Sequence, residues 1–169
     1  MKIIRIIRLF PLSAIRYNYE NYHVKNIFMP IPPEVTIALE GNTPSLVSLT
    51  VQAAGSSLQE VKRFAKALAT NTRLKSLYLK GPITFDSVGA FKVAKAISKN
   101  VSITSLTFYN TDLNCADVRK ITDLLRNNSA LLHLSFHKNS LDGLPGFGVF
   151  VSFLDGNNKL TSLDLSKTN

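Results

Sequence analysis

A single cysteine, Cys115, is the only thiol in a chain of 169 residues. An internal disulfide is therefore excluded, as is any zinc site built on several cysteines; a reducing compartment suits such a chain, and a cytoplasmic protein is expected. Glycine and proline are also scarce, at eight and seven residues, against 45% hydrophobic and 18% charged positions. That balance excludes wholesale disorder and predicts one domain with a substantial core. Long apolar runs are missing too. The best candidates are interrupted by Arg5, Arg8 or Ser152 and fall short of the roughly 18 residues of a membrane-spanning helix, so no span is expected.

Acidic residues are few and unevenly placed. Residues 1–85 carry eleven Lys and Arg against four Glu, and residues 86–169 carry nine against seven Asp, so the excess of +9 divides as +7 and +2. Part of the early excess is Lys62, Arg63, Lys66, Arg73, Lys75 and Lys80, with only Glu60 close by in sequence. These six form a candidate anion-facing patch. Neither an array of stacking aromatics nor a groove-reading element is recognisable beside them, and nucleic acid is not the expected partner. The opening Met1 to Phe10 mixes Lys2, Arg5 and Arg8 with aliphatics. Its charges break any secretory hydrophobic stretch, and it reads as a strand or cap.

One pattern recurs four times: aliphatic-x-x-Asn-x-x-aliphatic-x-x-Leu-x-apolar. Its asparagines are Asn71, Asn100, Asn128 and Asn157, spaced 29, 28 and 29 residues apart. A weaker copy at Leu46, Leu49 and Val51 carries Thr43 in the asparagine position. Upstream of each strong copy lie apolar residues at i, i+3, i+4 and i+7: Val61, Phe64, Ala65 and Leu68; Ala90, Val93, Ala94 and Ile97; Val118, Ile121, Thr122 and Leu125; Phe147, Phe150, Val151 and Leu154. That spacing stacks them on one helix face, whereas the closing Leu-x-apolar has the period of a strand. Each unit is thus a helix followed by a short strand. Ser57 with Glu60, Asp86 and Asn114 are candidate helix caps, and Pro145 suits a helix start.

Such a unit cannot bury its apolar face alone, so neighbours must stack, with strands in one parallel sheet and helices behind it. On these residues the chain resembles the leucine-rich repeat family, in particular its ribonuclease-inhibitor-like branch. The copy Leu131, Leu134, Phe136, Asn139, Leu141 fits the family pattern in full. The resemblance implies an α/β leucine-rich repeat solenoid, a horseshoe arc with a parallel concave sheet and convex helices. Four to five units would occupy residues 46–169, with no C-terminal cap. Residues 1–45 would be irregular or a degenerate first repeat; Asn21, Val24, Ile27 and Met29 sketch such a copy, and Pro30, Pro32 and Pro33 predict a turn after it rather than a long helix. Ala54, Pro82 and Thr84 depart from the pattern, so irregular turns are expected there. A bare final strand predicts either a fragment of a longer repeat protein or self-association through that edge.

In such an arc the side chains between the buried strand positions face the concave side: Ser48, Ser76, Ser105, His133, Ser162; Thr50, Tyr78, Thr107, Ser135, Asp164; Gln52, Lys80, Tyr109, His137, Ser166. Tyr78, Lys80, Tyr109, His133, Ser135, His137 and Asp164 are the candidate partner-binding residues, since flat side chains with polar tips are interface chemistry. A nucleophilic triad of Ser135, a histidine and Asp164 is rejected for want of a strained turn and oxyanion donors, so no catalytic residue is expected. His133 and His137, four residues apart on a strand, are too distant for a metal pair. His23 is isolated, Cys115 reads as structural, and no phosphate loop is present. Neither metal nor cofactor is expected. The function implied is a non-enzymatic scaffold binding a protein whose identity is open. The alternatives are a GTPase-activating module, as in the Ran GTPase activators of the same branch, and anion or nucleic-acid binding through the basic patch.

Overall fold

The computed structural model describes residues 31–51, 56–81, 87–141 and 144–168. Met1 to Phe10, His23, the Asn21–Met29 copy, Gln52, Ala54, Pro82, Thr84 and Asp86 lie outside them, and the side chain of Phe147 is likewise not described. Helices and strands alternate along the chain: α1 (Pro33–Glu40), β1 (Ser48–Val51), α2 (Leu58–Thr70), β2 (Ser76–Lys80), α3 (Ser87–Lys99), β3 (Ser105–Tyr109), α4 (Cys115–Leu125), β4 (His133–Ser135), α5 (Leu144–Gly156) and β5 (Ser162–Asp164).

Two helices begin at reciprocal caps that the sequence spells out. Ser57 Oγ accepts from the Glu60 N–H while Glu60 Oε2 accepts from the Ser57 N–H, and Asn114 with Asp117 repeats the exchange at α4. Each box satisfies two N–H groups that a helix start leaves unpaired. The two hydrogen bonds from Ser57 hold the Glu60 carboxyl below its usual pKa.

The five strands form one parallel sheet in the order β1-β2-β3-β4-β5, each hydrogen-bonded to its sequence neighbours. Repeat positions fall in register: Leu77 opposite Leu106 and Leu106 opposite Leu134, which in turn faces Leu163. Helices pack in the same order, α1 on α2 through to α4 on α5. Their apolar faces meet the inward side of the strands, where Leu74, Leu77, Leu79, Ile103, Leu106, Phe108, Leu131 and Phe136 are fully buried. Phe108 and Phe136 stack at 5.4 Å between ring centroids, carrying one core layer from unit to unit. Burial of each such side chain is worth about 1.5–3 kcal/mol, which no unit gains alone.

Two expectations are corrected. The proline cluster does not end in a turn alone: α1 starts at Pro33, because a first-turn proline lacks only an N–H that would be unpaired anyway and already has helical φ. The buried face of α5 is also rotated. Phe150 and Phe153 are buried, whereas Val151 and Leu154, expected inside, are 60% and 44% exposed. Among the described helices α5 packs chiefly on α4, and its Phe150 ring meets Phe136 on the sheet side, so Val151 and Leu154 face solvent and the bulkier Phe153 takes the buried place instead.

Candidate interaction face

Alternation along each strand sends the residues between the core leucines to the sheet face turned away from the helices, in the half-buried and exposed pattern seen in β2 and β3. There Tyr78 of β2 stacks on Tyr109 of β3 at 5.8 Å, and Tyr109 stacks on His137, just beyond β4, at 5.2 Å with the planes 10° apart. The first pair is diagonal, since Tyr78 lies opposite Thr107, two residues before Tyr109; the second is direct, because Thr107 lies opposite Ser135 and the same register carries Tyr109 onto His137. Diagonal neighbours on adjacent strands are within reach of large rings, so three flat groups form one continuous stripe across the sheet. Lys138 Nζ lies 5.9 Å from the Tyr109 ring centroid, a cation on the same stripe. Burial, with the neighbouring Tyr109, pushes the Tyr78 hydroxyl above its usual pKa, so it is a neutral donor in ordinary conditions.

The stripe ends in a polar cluster. His137 Nδ1 is 2.6 Å from Ser166 Oγ and 3.7 Å from Asp164 Oδ2, and Ser135 Oγ donates to Asp164 Oδ2 at 3.1 Å. Hydrogen bonds from Ser166, its hydroxyl first and its N–H second, hold the Asp164 carboxyl below its usual pKa, helped by Ser135 and by the charge of His137. A serine, a histidine and an aspartate thus meet, but in an order unsuited to catalysis. The Ser135 proton is held by a carboxylate whose pKa is lowered, a weak base, rather than by an imidazole nitrogen, so the hydroxyl lacks the base that activates a nucleophilic serine. What the cluster does is fix the His137 ring against Tyr109.

The candidate residues are not all brought together. Tyr78, Tyr109, His137, Ser135 and Asp164 form the stripe and its polar end. Lys80 is exposed at the end of β2, opposite Tyr109. His133 is exposed at the other end of β4, between Ser105 and Ser162, and does not join the stripe. The six basic residues are also divided. Arg63 is paired with Glu40 at 3.2 Å, which raises its pKa further; Lys80 is on the sheet; Arg73 and Lys75 precede β2; Lys62 and Lys66 face α3.

The repeat asparagines form the joints that hold this face in register. Asn71, Asn100 and Asn128 are buried, and each side-chain oxygen accepts from the N–H groups two and three residues on. Each side-chain amide donates backwards to a carbonyl of the preceding unit: Leu39, then Leu68 and Asn71, then Ile97 and Asn100. Asn139, one turn after the strand, also ties two units together but with the roles changed: its amide donates to Phe108 of the preceding unit and Phe136 of its own, and its oxygen accepts from Thr111 and Leu113 of the preceding unit. Asn157 keeps the forward bonds to Lys159 and Leu160, but its buried amide nitrogen has no partner.

A second periodic feature was missed in the sequence. Gly81, Asn110, Lys138 and Lys167 each follow a strand and each has positive φ, at 100°, 53°, 58° and 55°. Their spacing of 29, 28 and 29 residues repeats that of the asparagines. Only the glycine and the asparagine advertise the left-handed turn.

No protein-family model matches the chain, and no curated protein sequence matches it. Solved structures do. The leiomodin-1 structure described as actin-binding site 2 is similar at 25% identity with a TM-score of 0.69, over 78% of this chain and 76% of that one. The tropomodulin C-terminal domain of Caenorhabditis elegans shares the fold at 12% identity and a TM-score of 0.62, over 79% of this chain and 81% of that one. Five parallel strands alternating with five helices, in this company, fit a leucine-rich-repeat-type fold.

Proposed function

We propose that the chain is a non-enzymatic, cytoplasmic protein-binding scaffold of the ribonuclease-inhibitor-like leucine-rich repeat branch, with a concave strand face as its binding surface. The observation that carries this reading is the stacked stripe of Tyr78, Tyr109 and His137. Rigid aromatic groups held half-buried by their neighbours lose little entropy when a partner covers them, which is what an interface anchor requires. The likeness to an actin-binding site of leiomodin-1 makes actin the first partner to try. Co-sedimentation with actin filaments and capture of monomeric actin, each with the wild type and with Tyr78→Ala/Tyr109→Ala, test the reading. The double variant is expected to bind at least about 30-fold more weakly, a loss of about 2 kcal/mol, with an unchanged fold. Charge reversal at Lys92 and Lys95 on α3 should matter much less. Loss of binding by the helix variant alone would put the partner on the other side. Self-association through the β5 edge belongs to the same proposal, since Leu163 and Leu165 are only partly buried there. Sedimentation velocity showing a monomer at every concentration would remove it.

A further inference from the structure

On the side of the molecule opposite the strand face, α2 and α3 enclose an open groove of about 280 Å³ lined by Lys62, Lys66, Lys92, Lys95 and Lys99 over a floor of Ala65, Ala69 and Ala96. The lining contains no acid, and among the described residues none of the five ammonium groups is in an ion pair. Lys62 and Lys66 are one turn apart on α2, and Lys92, Lys95 and Lys99 run about 10 Å along α3. Like charges at such helical spacings repel, so the arrangement costs stability and returns none within the chain. The small alanines leave room for a ligand to reach down between the two rows.

We propose that this groove binds clustered phosphate groups, two or more phosphate monoesters on one small scaffold, free in solution or presented as a lipid headgroup. A single phosphate cannot meet five ammonium groups spread over about 10 Å, whereas several on one ring can. The density of positive charge favours phosphate over carboxylate, because a phosphate monoester carries about −1.5 to −2 at neutral pH with three acceptor oxygens against the single charge of a carboxylate, and lysine binds phosphate as a point charge. No aromatic ring lines the groove, so nothing there would stack on the bases of a nucleic acid. The proposal is independent of the strand-face reading, being made of other residues on another surface.

Titration calorimetry of the full chain with inositol hexakisphosphate at about physiological salt tests it, screening being the control for weak diffuse attraction. Lys66→Ala/Lys95→Ala should weaken binding tenfold or more, while Arg73→Ala/Lys75→Ala, which removes the same charge outside the groove, should change it less than about twofold. These lysines are exposed and repel one another, so the thermal melt of the groove variant should be unchanged or slightly raised, which excludes unfolding as the cause of lost binding. Equal losses in the two variants, or no wild-type binding at millimolar ligand, would overturn the site. Flotation with vesicles containing phosphatidylinositol bisphosphate, against phosphatidylserine vesicles of equal charge, separates the sources. Preferential capture by the former assigns a headgroup, and no capture by either, with calorimetric binding retained, assigns a soluble phosphate cluster. Equal capture by both, or tighter binding of duplex DNA than of the hexakisphosphate, would overturn the proposal.

Discussion

The unit made by α3 and β3 and the unit made by α5 and β5 carry the same pattern, and their side chains fare differently. Val93, Ala94, Ile97, Leu106 and Phe108 are fully buried in the first, whereas Leu154 is 44% exposed and Leu163 and Leu165 are partly buried in the second. Asn100 has partners for both ends of its side chain, and the Asn157 amide nitrogen has none. A repeat motif therefore specifies half of each contact. The other half comes from the neighbouring unit, and its energy depends on whether that neighbour is there.

Core truncation should expose this asymmetry most strongly. Leu106→Ala is expected to cost about 3–4 kcal/mol, the loss for a leucine enclosed on all sides, and Leu163→Ala about 1 kcal/mol, because solvent already reaches that site. Urea melts of the two variants measure the difference. Equal costs would mean that the last unit is as well packed as the middle ones.

The asparagines give the next contrast. Asn128→Ala removes four hydrogen bonds and strands buried backbone groups of two units, for an expected loss of about 2 kcal/mol or more. Asn157→Ala gives up the two forward bonds but also deletes an unpaired buried donor, and should cost less than about 1 kcal/mol. Comparable losses would show that the backward bond contributes little.

Much of this architecture was legible because the pattern is written in large aliphatics and asparagine. Leu74, Leu77 and Leu79 announce a strand, and Val61, Phe64, Ala65 and Leu68 a helix face, at spacings that nothing else explains. The parts that were not legible depend on where units meet. Proximity in sequence groups Lys62 and Lys66 with Arg63, Arg73, Lys75 and Lys80. Their partners in the groove, Lys92, Lys95 and Lys99, stand about thirty residues on and are reached only by stacking one helix on the next. The α5 register failed because the apolar spacing of Phe147, Phe150, Val151 and Leu154 is the same whether or not another unit covers it. The Tyr78–Tyr109–His137 stripe was half legible: the strand register puts Tyr109 beside His137 and His133 beside Ser105, but the diagonal stacking that brings Tyr78, one row away, onto Tyr109 is a matter of side-chain geometry.

The left-handed turns compare positions rather than units. Gly81, at φ 100°, occupies backbone space that is costly for any residue with a Cβ, and Gly81→Ala should lose about 1–2 kcal/mol. Lys138 sits at φ 58°, which an L-residue adopts at moderate cost, and Lys138→Gly exchanges that strain for a more flexible unfolded chain, with a net change within about 0.5 kcal/mol. Thermal melts would tell the two apart. A large gain from Lys138→Gly would mean that these turns hold more strain than their angles indicate.

The smallest effect lies at the polar end of the stripe, where the last strand meets the fourth. Asp164 has a lowered pKa in the folded chain, owed first to Ser166, so its ionised form is favoured by folding. Its contribution is fully present above the unfolded carboxylate value of about 3.9, and is lost as pH falls through the lower folded value, where both states bind the proton. The side chain is 46% exposed, so solvent screens the gain and the shift in stability should be slight. Asp164→Asn should therefore leave the melt near pH 2 almost unchanged while removing a small increment above pH 5. It should also loosen His137, whose ring loses a carboxylate at 3.7 Å, and the proton NMR contacts between the His137 and Tyr109 rings should weaken in the variant. Unchanged ring contacts would mean that Ser166 alone holds the ring, and that the cluster joins the last unit to the stripe through that one hydrogen bond.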